Sequence, residues 1–218
     1  MKPHNWILDN RKFFSEEEQR LIREHVRRRL RHPDRKRWVE WFLIELAMET
    51  GLRVGEMSAL VCGDLLIGDS LPGVVVRRGK GGKTRFVHVR QALCEKARMF
   101  LDWKKNADEP IGESDPLFRS VRTGRPMTVR GLQKIFERVL RATGIEGHSL
   151  HHCRHTYASE LLRSSGGNLR IVQKQLGHSA ITTTQIYADV FDPDMQQAVG
   201  MLYARRAVRP VAAPVISN

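Results

Sequence analysis

Residues 148–187 read HSLHHCRHTYASELLRSSGGNLRIVQKQLGHSAITTTQIY, and their reading decides the fold of this 218-residue chain. The apolar spacing predicts two helices, over residues 151–163 and 169–176. Between them lies Ser164-Ser165-Gly166-Gly167-Asn168, where Gly166 stops the first helix and Asn168 caps the second. Polar groups of catalytic type gather at the element ends. His151 and Arg154 are three apart, so a helix places them on one face, one turn from each other. His178 follows Gly177 just past a helix end, and Tyr187 comes nine residues later. Two histidines, an arginine and a tyrosine without an acidic cluster suit phosphate chemistry run by fixed cations. Taken singly, each also has an ordinary reading, as a satisfied His–Arg pair or a rim tyrosine. Zinc is the rival reading of His148, His151, His152, Cys153 and His155. The spacings supply no ligand pair with a second half elsewhere, and adjacent His-His-Cys cannot all turn to one ion on a helix.

The rest of the chain sets bounds on this reading. With 37 Lys and Arg against 24 Asp and Glu, the formal charge is +13, and the pI is near 10.3. Such a balance is unusual for a small-molecule enzyme and points to a polyanionic partner. Cys62, Cys94 and Cys153 are odd in number and widely spread, so no disulfide framework is implied and a reducing cytoplasm fits. No apolar run approaches the roughly 18 to 20 residues that span a bilayer, and the start MKPHNWILDNRKFF does not read as a signal peptide. A soluble, internal protein is expected.

Upstream, residues 1–14 read as an irregular arm. Ser15 and Glu18 form a capping box for a helix to about Leu30, with Glu16, Glu17 and Glu18 at its positive end. The basic stretch Arg27-Arg28-Arg29-Leu30-Arg31-His32-Pro33, then Asp34-Arg35-Lys36-Arg37 past a turn at Pro33, is either a solvated face or a ridge that contacts phosphates. WVEWFLIELAMET, residues 38–50, is a core helix stopped by Gly51. A short helix follows, carrying Arg53 and, one turn on, Glu56, placed to orient it. Residues 64–68, 74–78 and 84–89 alternate with period two around the turns Pro72-Gly73 and Gly79-Lys80-Gly81-Gly82-Lys83, predicting three antiparallel strands. The GKGGK turn is not a Walker loop, because it runs into a strand and lacks the Ser or Thr that follows GxxxxGK. Residues 91–106 return to helical period. Residues 107–127 form a loop whose Leu117 and Phe118 tuck inward, and Thr128 caps a helix through Leu140 ended by Gly144. Asp192-Pro193 opens a last helix to about Arg206, and residues 207–218 read as a tail. The fold class is mainly α with a small antiparallel three-stranded sheet.

Five separated motifs stand in order along this frame. They are Gly51-Leu52-Arg53-Val54-Gly55-Glu56, Gly79-Lys80-Gly81-Gly82-Lys83-Thr84-Arg85, His151-His152-Cys153-Arg154-His155, Leu176-Gly177-His178-Ser179 and Thr183-Thr184-Gln185-Ile186-Tyr187. The set closely resembles the catalytic domain of tyrosine recombinases, the lambda-integrase or Xer-like family of site-specific DNA recombinases. The resemblance runs over residues 15–206. It implies a fold of that catalytic type and an activity that cleaves and rejoins DNA through a 3′-phosphotyrosyl intermediate without metal, ATP or other cofactor. Tyr187 corresponds to the nucleophile, and Arg53, Arg154 and His178 to the phosphate-binding groups. Lys80, the first lysine of its hairpin, corresponds to the general acid, and His151 to an assisting acid or base. His151 is preferred to His152 for its three-residue spacing to Arg154, with His155 expected to point elsewhere on the helix as a structural residue. Glu56 and Ser179 read as supporting or capping groups.

That chemistry suits the residue types. A phosphodiester repels nucleophiles, and charge builds on its nonbridging oxygens as it is displaced. The planar arginine fork donates two parallel hydrogen bonds to such a group and stays charged at any working pH. The resemblance further implies double-stranded DNA as partner, a homotetramer on two DNA sites, a monomer when free, and a cytoplasmic, nucleoid-associated location. DNA-contacting candidates are Arg27, Arg28, Arg31, Arg35, Lys36, Lys83 and Arg85. Family members usually carry a separate N-terminal core-binding domain, and none is expected in this sequence, which begins almost at the catalytic part. The rival classes are a type IB topoisomerase, which uses nearly the same groups, and a non-catalytic DNA-binding regulator of recombinase descent. The full set of reactive residues argues against the regulator.

Overall fold

The computed structural model describes residues 13–31, 34–68, 71–77 and 84–177, and its elements follow the predicted order. Helix α1 (Glu16–Arg29) opens with the expected capping box: Ser15 Oγ accepts from the Glu18 amide while the Glu18 carboxylate accepts from the Ser15 amide. Helix α2 (Arg35–Thr50) begins three residues earlier than the apolar pattern indicated. The Asp34 carboxylate accepts from the Arg37 amide at 2.8 Å, so the basic run after Pro33 forms the first turn of the helix instead of a connecting turn. Every residue from Val39 to Thr50 is buried, which makes α2 the axis of the molecule, packed against α1, α4 (Gln91–Asn106), α5 (Val129–Thr143) and α6 (Leu150–Ser164).

A helix buried on all sides carries its polar residues inward, and α2 holds three such glutamates. Arg138 Nε donates to Glu40 at 2.7 Å from α5, and Lys96 Nζ donates to Glu45 at 2.7 Å from α4. Glu49 accepts from Arg90 at 2.6 Å and, from α1, Arg23 at 3.2 Å. Burial pushes the Glu49 carboxyl up, but the Arg90 hydrogen bond and the charges of Arg23 and Lys96 outweigh it and hold it below the usual range. These pairs orient the outer helices more than they stabilise them, since desolvation offsets much of the Coulomb gain; removing one partner alone typically costs about 3–5 kcal/mol.

The sheet is smaller than the alternation suggested. β1 is only Leu65–Leu66, because the residues ahead of it form a tight 3-10 turn, Cys62–Asp64, with Asp64 accepting from the Val61 amide. β1 pairs antiparallel with β2 (Gly73–Val76), and β2 with β3 (Arg85–His88), Val75 opposite Phe86 and Val76 opposite Arg85. α4 matches its predicted bounds, and α5 runs three residues past Leu140 to its left-handed cap at Gly144. In the loop between them Leu117 and Phe118 are fully buried, as expected. Short α3 (Val54–Ala59) packs on α5, and α7 (Leu169–Leu176), also within its predicted bounds, packs on α6 and β3. The arm over residues 1–12 and the expected last helix and tail lie outside the described residues. Among the described residues no helix is long and apolar enough to cross a membrane.

Candidate active site

Two helix C-termini and one helix N-terminus converge to build the site. α2 ends at Gly51 in the left-handed conformation, φ 60°, and α7 ends likewise at Gly177, φ 65°. Both positions exclude a side chain. A Cβ on Gly51 would lie 2.7 Å from Tyr157 Cδ1 and 2.9 Å from Leu176 Cδ2, and one on Gly177 would lie 2.6 Å from Arg85 Cδ. The glycines of the GLR and LGH motifs therefore allow α2, α6, α7 and β3 to approach within contact distance.

Arg154 lies between the two ends. It is 2% exposed, and its fork donates from Nη1 to the Gly51 carbonyl and from Nη2 to the Leu176 carbonyl, both at 2.8 Å. The carbonyls of a helix's last turn lack intrahelical donors and carry its negative end, so a buried guanidinium both satisfies them and is balanced by them. Arg53 is reached from the same turn. It is the N-cap residue of α3; its amide donates to Glu56 Oε2 at 2.9 Å and its Nη1 to Oε1 at 3.0 Å. Its side chain remains 31% exposed, and Nη2 has no partner among the described residues.

His151 stands one turn before Arg154, at the surface. Its pKa is lowered from the ordinary histidine value by desolvation first, then by the charge of Arg154, then by that of Arg53. The charges of two distant motifs thus both disfavour the imidazolium at His151. That shift favours the neutral ring, which holds one donor and one acceptor nitrogen, as proton transfer requires.

The neighbouring histidines are engaged elsewhere. His152 Nδ1 accepts from the Ser149 amide at 2.7 Å, closing the N-terminus of α6. The His148 ring nitrogens lie 2.9 Å and 3.1 Å from the Glu146 and Phe13 carbonyl oxygens. Cys153 is buried, and desolvation pushes its thiol up to about 12, against the thiolate a zinc ligand needs. His155 does not face away from the site as expected: four residues after His151 on the helix, its ring lies edge-on to that imidazole with centroids 4.5 Å apart.

Two contributors were not foreseen in their present roles. Arg85, expected as a DNA contact, turns inward at 13% side-chain exposure and donates to both Glu56 oxygens at 2.8 Å. Gln175 is 8% exposed and docks α7 on the edge of the sheet, accepting from the His88 amide at 3.2 Å and donating to the His88 carbonyl at 2.7 Å. Alternation and helical period carry no signal for either contact, because both join residues far apart in sequence. Among the remaining DNA candidates, Arg27, Arg28, Arg31 and Lys36 are exposed, whereas Arg35 is bound to Glu109 and the Arg119 carbonyl. Lys80, Lys83, His178 and Tyr187 lie outside the described residues.

Comparison with known proteins accords with this geometry. Residues 12–193 match the phage integrase family. The chain is 34% identical over 163 residues to tyrosine recombinase XerC of Corynebacterium glutamicum, covering 75% of this chain and 50% of that protein. It is 32% identical to tyrosine recombinase XerA of Thermococcus kodakarensis, covering 82% of this chain and 60% of that protein. The fold superposes on the XerH site-specific recombinase bound to its difH substrate in a pre-cleavage complex, with a TM-score of 0.68, 25% identity and 81% and 50% of the two chains covered. The chain spans about half the length of the first curated relatives it matches.

Proposed function

This chain belongs to the phage integrase family, and from that membership we propose that it acts as the catalytic unit of a site-specific DNA recombinase. The observation that carries the proposal is geometric: buried Arg154 ties the end of α2, two residues before the partly exposed Arg53, to the end of α7, so that the GLR, HxxR and LGH motifs meet in one place suited to a phosphodiester. Arg53 presents a partly exposed guanidinium edge to a nonbridging oxygen, while Arg154 fixes the carbonyl ends of α2 at Gly51 and of α7 at Leu176. Preorganised donors of this kind are typically worth about 10² to 10³ in rate each.

In the proposed reaction the Tyr187 oxygen attacks phosphorus, the new phosphotyrosyl bond forms at the 3′ side, and the bond to the 5′ oxygen breaks. The phenol, with a pKa near 10, loses its proton with help from neutral His151. Lys80 delivers a proton to the departing 5′ oxygen, and His178 donates to a nonbridging oxygen. One phosphoester replaces another, so a second DNA end reseals the strand by the reverse steps without ATP. The partner is double-stranded DNA, with four protomers acting on two sites, and residues 15–206 form the catalytic unit.

The test uses nicked duplexes drawn from the DNA flanking the gene, which trap a covalent product once the short strand past the cleavage point diffuses away. Wild-type protein is expected to give an adduct stable on a denaturing gel, and Tyr187→Phe to give none while still binding the duplex. A wild-type protein that forms no adduct on any such duplex overturns the proposal. Adduct formation with supercoil relaxation but no two-site exchange would instead assign a topoisomerase-like activity.

A further inference from the structure

We propose that Arg85 is a positioning residue for the phosphate-binding side of the site: through Glu56 it fixes Arg53, and through contact with Gly177 it fixes the backbone immediately before His178. The inference rests on the recombinase reading above and assigns a role to a side chain that touches neither DNA nor the reacting atoms.

The geometry around Glu56 supports it. Oε1 accepts from Arg53 Nη1 at 3.0 Å and from Arg85 Nη1 at 2.8 Å; Oε2 accepts from the Arg53 amide at 2.9 Å and from Arg85 Nη2 at 2.8 Å. An ionised carboxylate has about four acceptor sites, so the group is saturated, and Arg53 has one orientation in which its own bonds to it are kept. Lysine in place of Arg85 would keep a charge but offer a single point of contact where the fork supplies two. The same side chain also sets the far edge of the site, since its stem fills the space that the missing Gly177 Cβ leaves. Its anchor is the first residue of β3, five positions after Lys80 in the sequence.

Stability alone is a poor reason for this arrangement. Arg85 Nε is buried with no acceptor among the described residues, and a donor left unsatisfied costs folding free energy. A misplacement of about 1 Å at a reacting centre, by contrast, costs up to about a hundredfold in rate.

The experiment measures single-turnover adduct formation on the nicked duplex whose Tyr187 junction has been mapped, for wild type, Arg85→Lys and Glu56→Gln, with duplex binding and thermal unfolding followed in parallel. Each duplex is made with the natural phosphodiester or with a charge-neutral methylphosphonate at the junction, which needs less cationic support. The expected result is a ten- to hundredfold loss on the phosphodiester for both variants, shrinking to within about threefold of wild type on the methylphosphonate. An Arg53→Lys control should show the same substrate dependence. Equal losses on both duplexes, or none on either, overturn the positioning role and leave the recombinase reading intact. Absence of an adduct from wild type on both duplexes overturns the reading itself and the role with it.

Discussion

Arg154 Nη1 lies 2.8 Å from the carbonyl oxygen of Gly51, a residue 103 positions earlier in the chain. Through that bond and its twin to Leu176, one side chain of the HxxR motif defines where the GLR and LGH motifs stand. Arg154→Lys keeps the charge but leaves one helix-end carbonyl without its donor. The expected cost is about 1–3 kcal/mol in urea unfolding and a fall of roughly 10² to 10³ in adduct rate. An unchanged rate would show that the fork does not organise the site.

Gly51→Ala should be harmful without touching DNA. The substitution places a Cβ at φ 60° and within 2.7 Å of Tyr157. Left-handed strain of about 1–2 kcal/mol and overpacking of about 1–3 kcal/mol together predict a loss of roughly 2–5 kcal/mol by chemical denaturation.

The electrostatic claim about His151 is testable by ring-proton titration in solution. Its folded midpoint is expected below the ordinary value of 6.5, for partial desolvation of this surface ring and two neighbouring guanidiniums disfavour the imidazolium. The unfolded chain then binds more protons between the lowered value and 6.5, so this group removes stability as pH falls through that window. Arg53→Gln should move the midpoint upward. A midpoint indifferent to residue 53 would separate the two motifs.

Glu56 gives an acid-limb prediction. Burial raises its carboxyl, but the hydrogen bonds and charge from Arg85 and Arg53 prevail and hold it at about 2, from 4.5. The stability this lends is present above pH 4.5 and is lost as pH falls through about 2, on the order of 2–4 kcal/mol. Glu56→Gln should flatten that limb of the stability curve.

The basic ridge separates into two kinds of arginine. Arg27 and Arg31 are exposed, with no side-chain partner among the described residues, so if they meet phosphates each replacement by Gln lowers the salt slope of duplex binding by about 0.9. Arg35 is held by Glu109, and its loss should register in unfolding while the slope stays fixed.

Much of this architecture was legible in the chain as written. The capping box at Ser15, the bounds of α4 and α7 and the inward Leu117–Phe118 pair all depend on neighbours within a turn or two, where periodicity and cap chemistry speak directly. The Arg53–Glu56 pairing was legible for the same reason. The start of α2 was obscured because three basic residues hide the apolar pattern that its Asp34 cap in fact introduces.

By itself the sequence determined the order of the described elements and the family motifs that stand along them, and its charge pointed toward a polyanionic partner. Tertiary structure alone decided that Arg85 turns inward to Glu56, that His155 sits beside His151, and that Gln175 seals a helix to a strand. The physical reason is range. Helical and strand periods are set by torsions and contacts between near neighbours, whereas a guanidinium's choice between solvent, a carboxylate or a distant carbonyl depends on what packing brings within 3 Å of it.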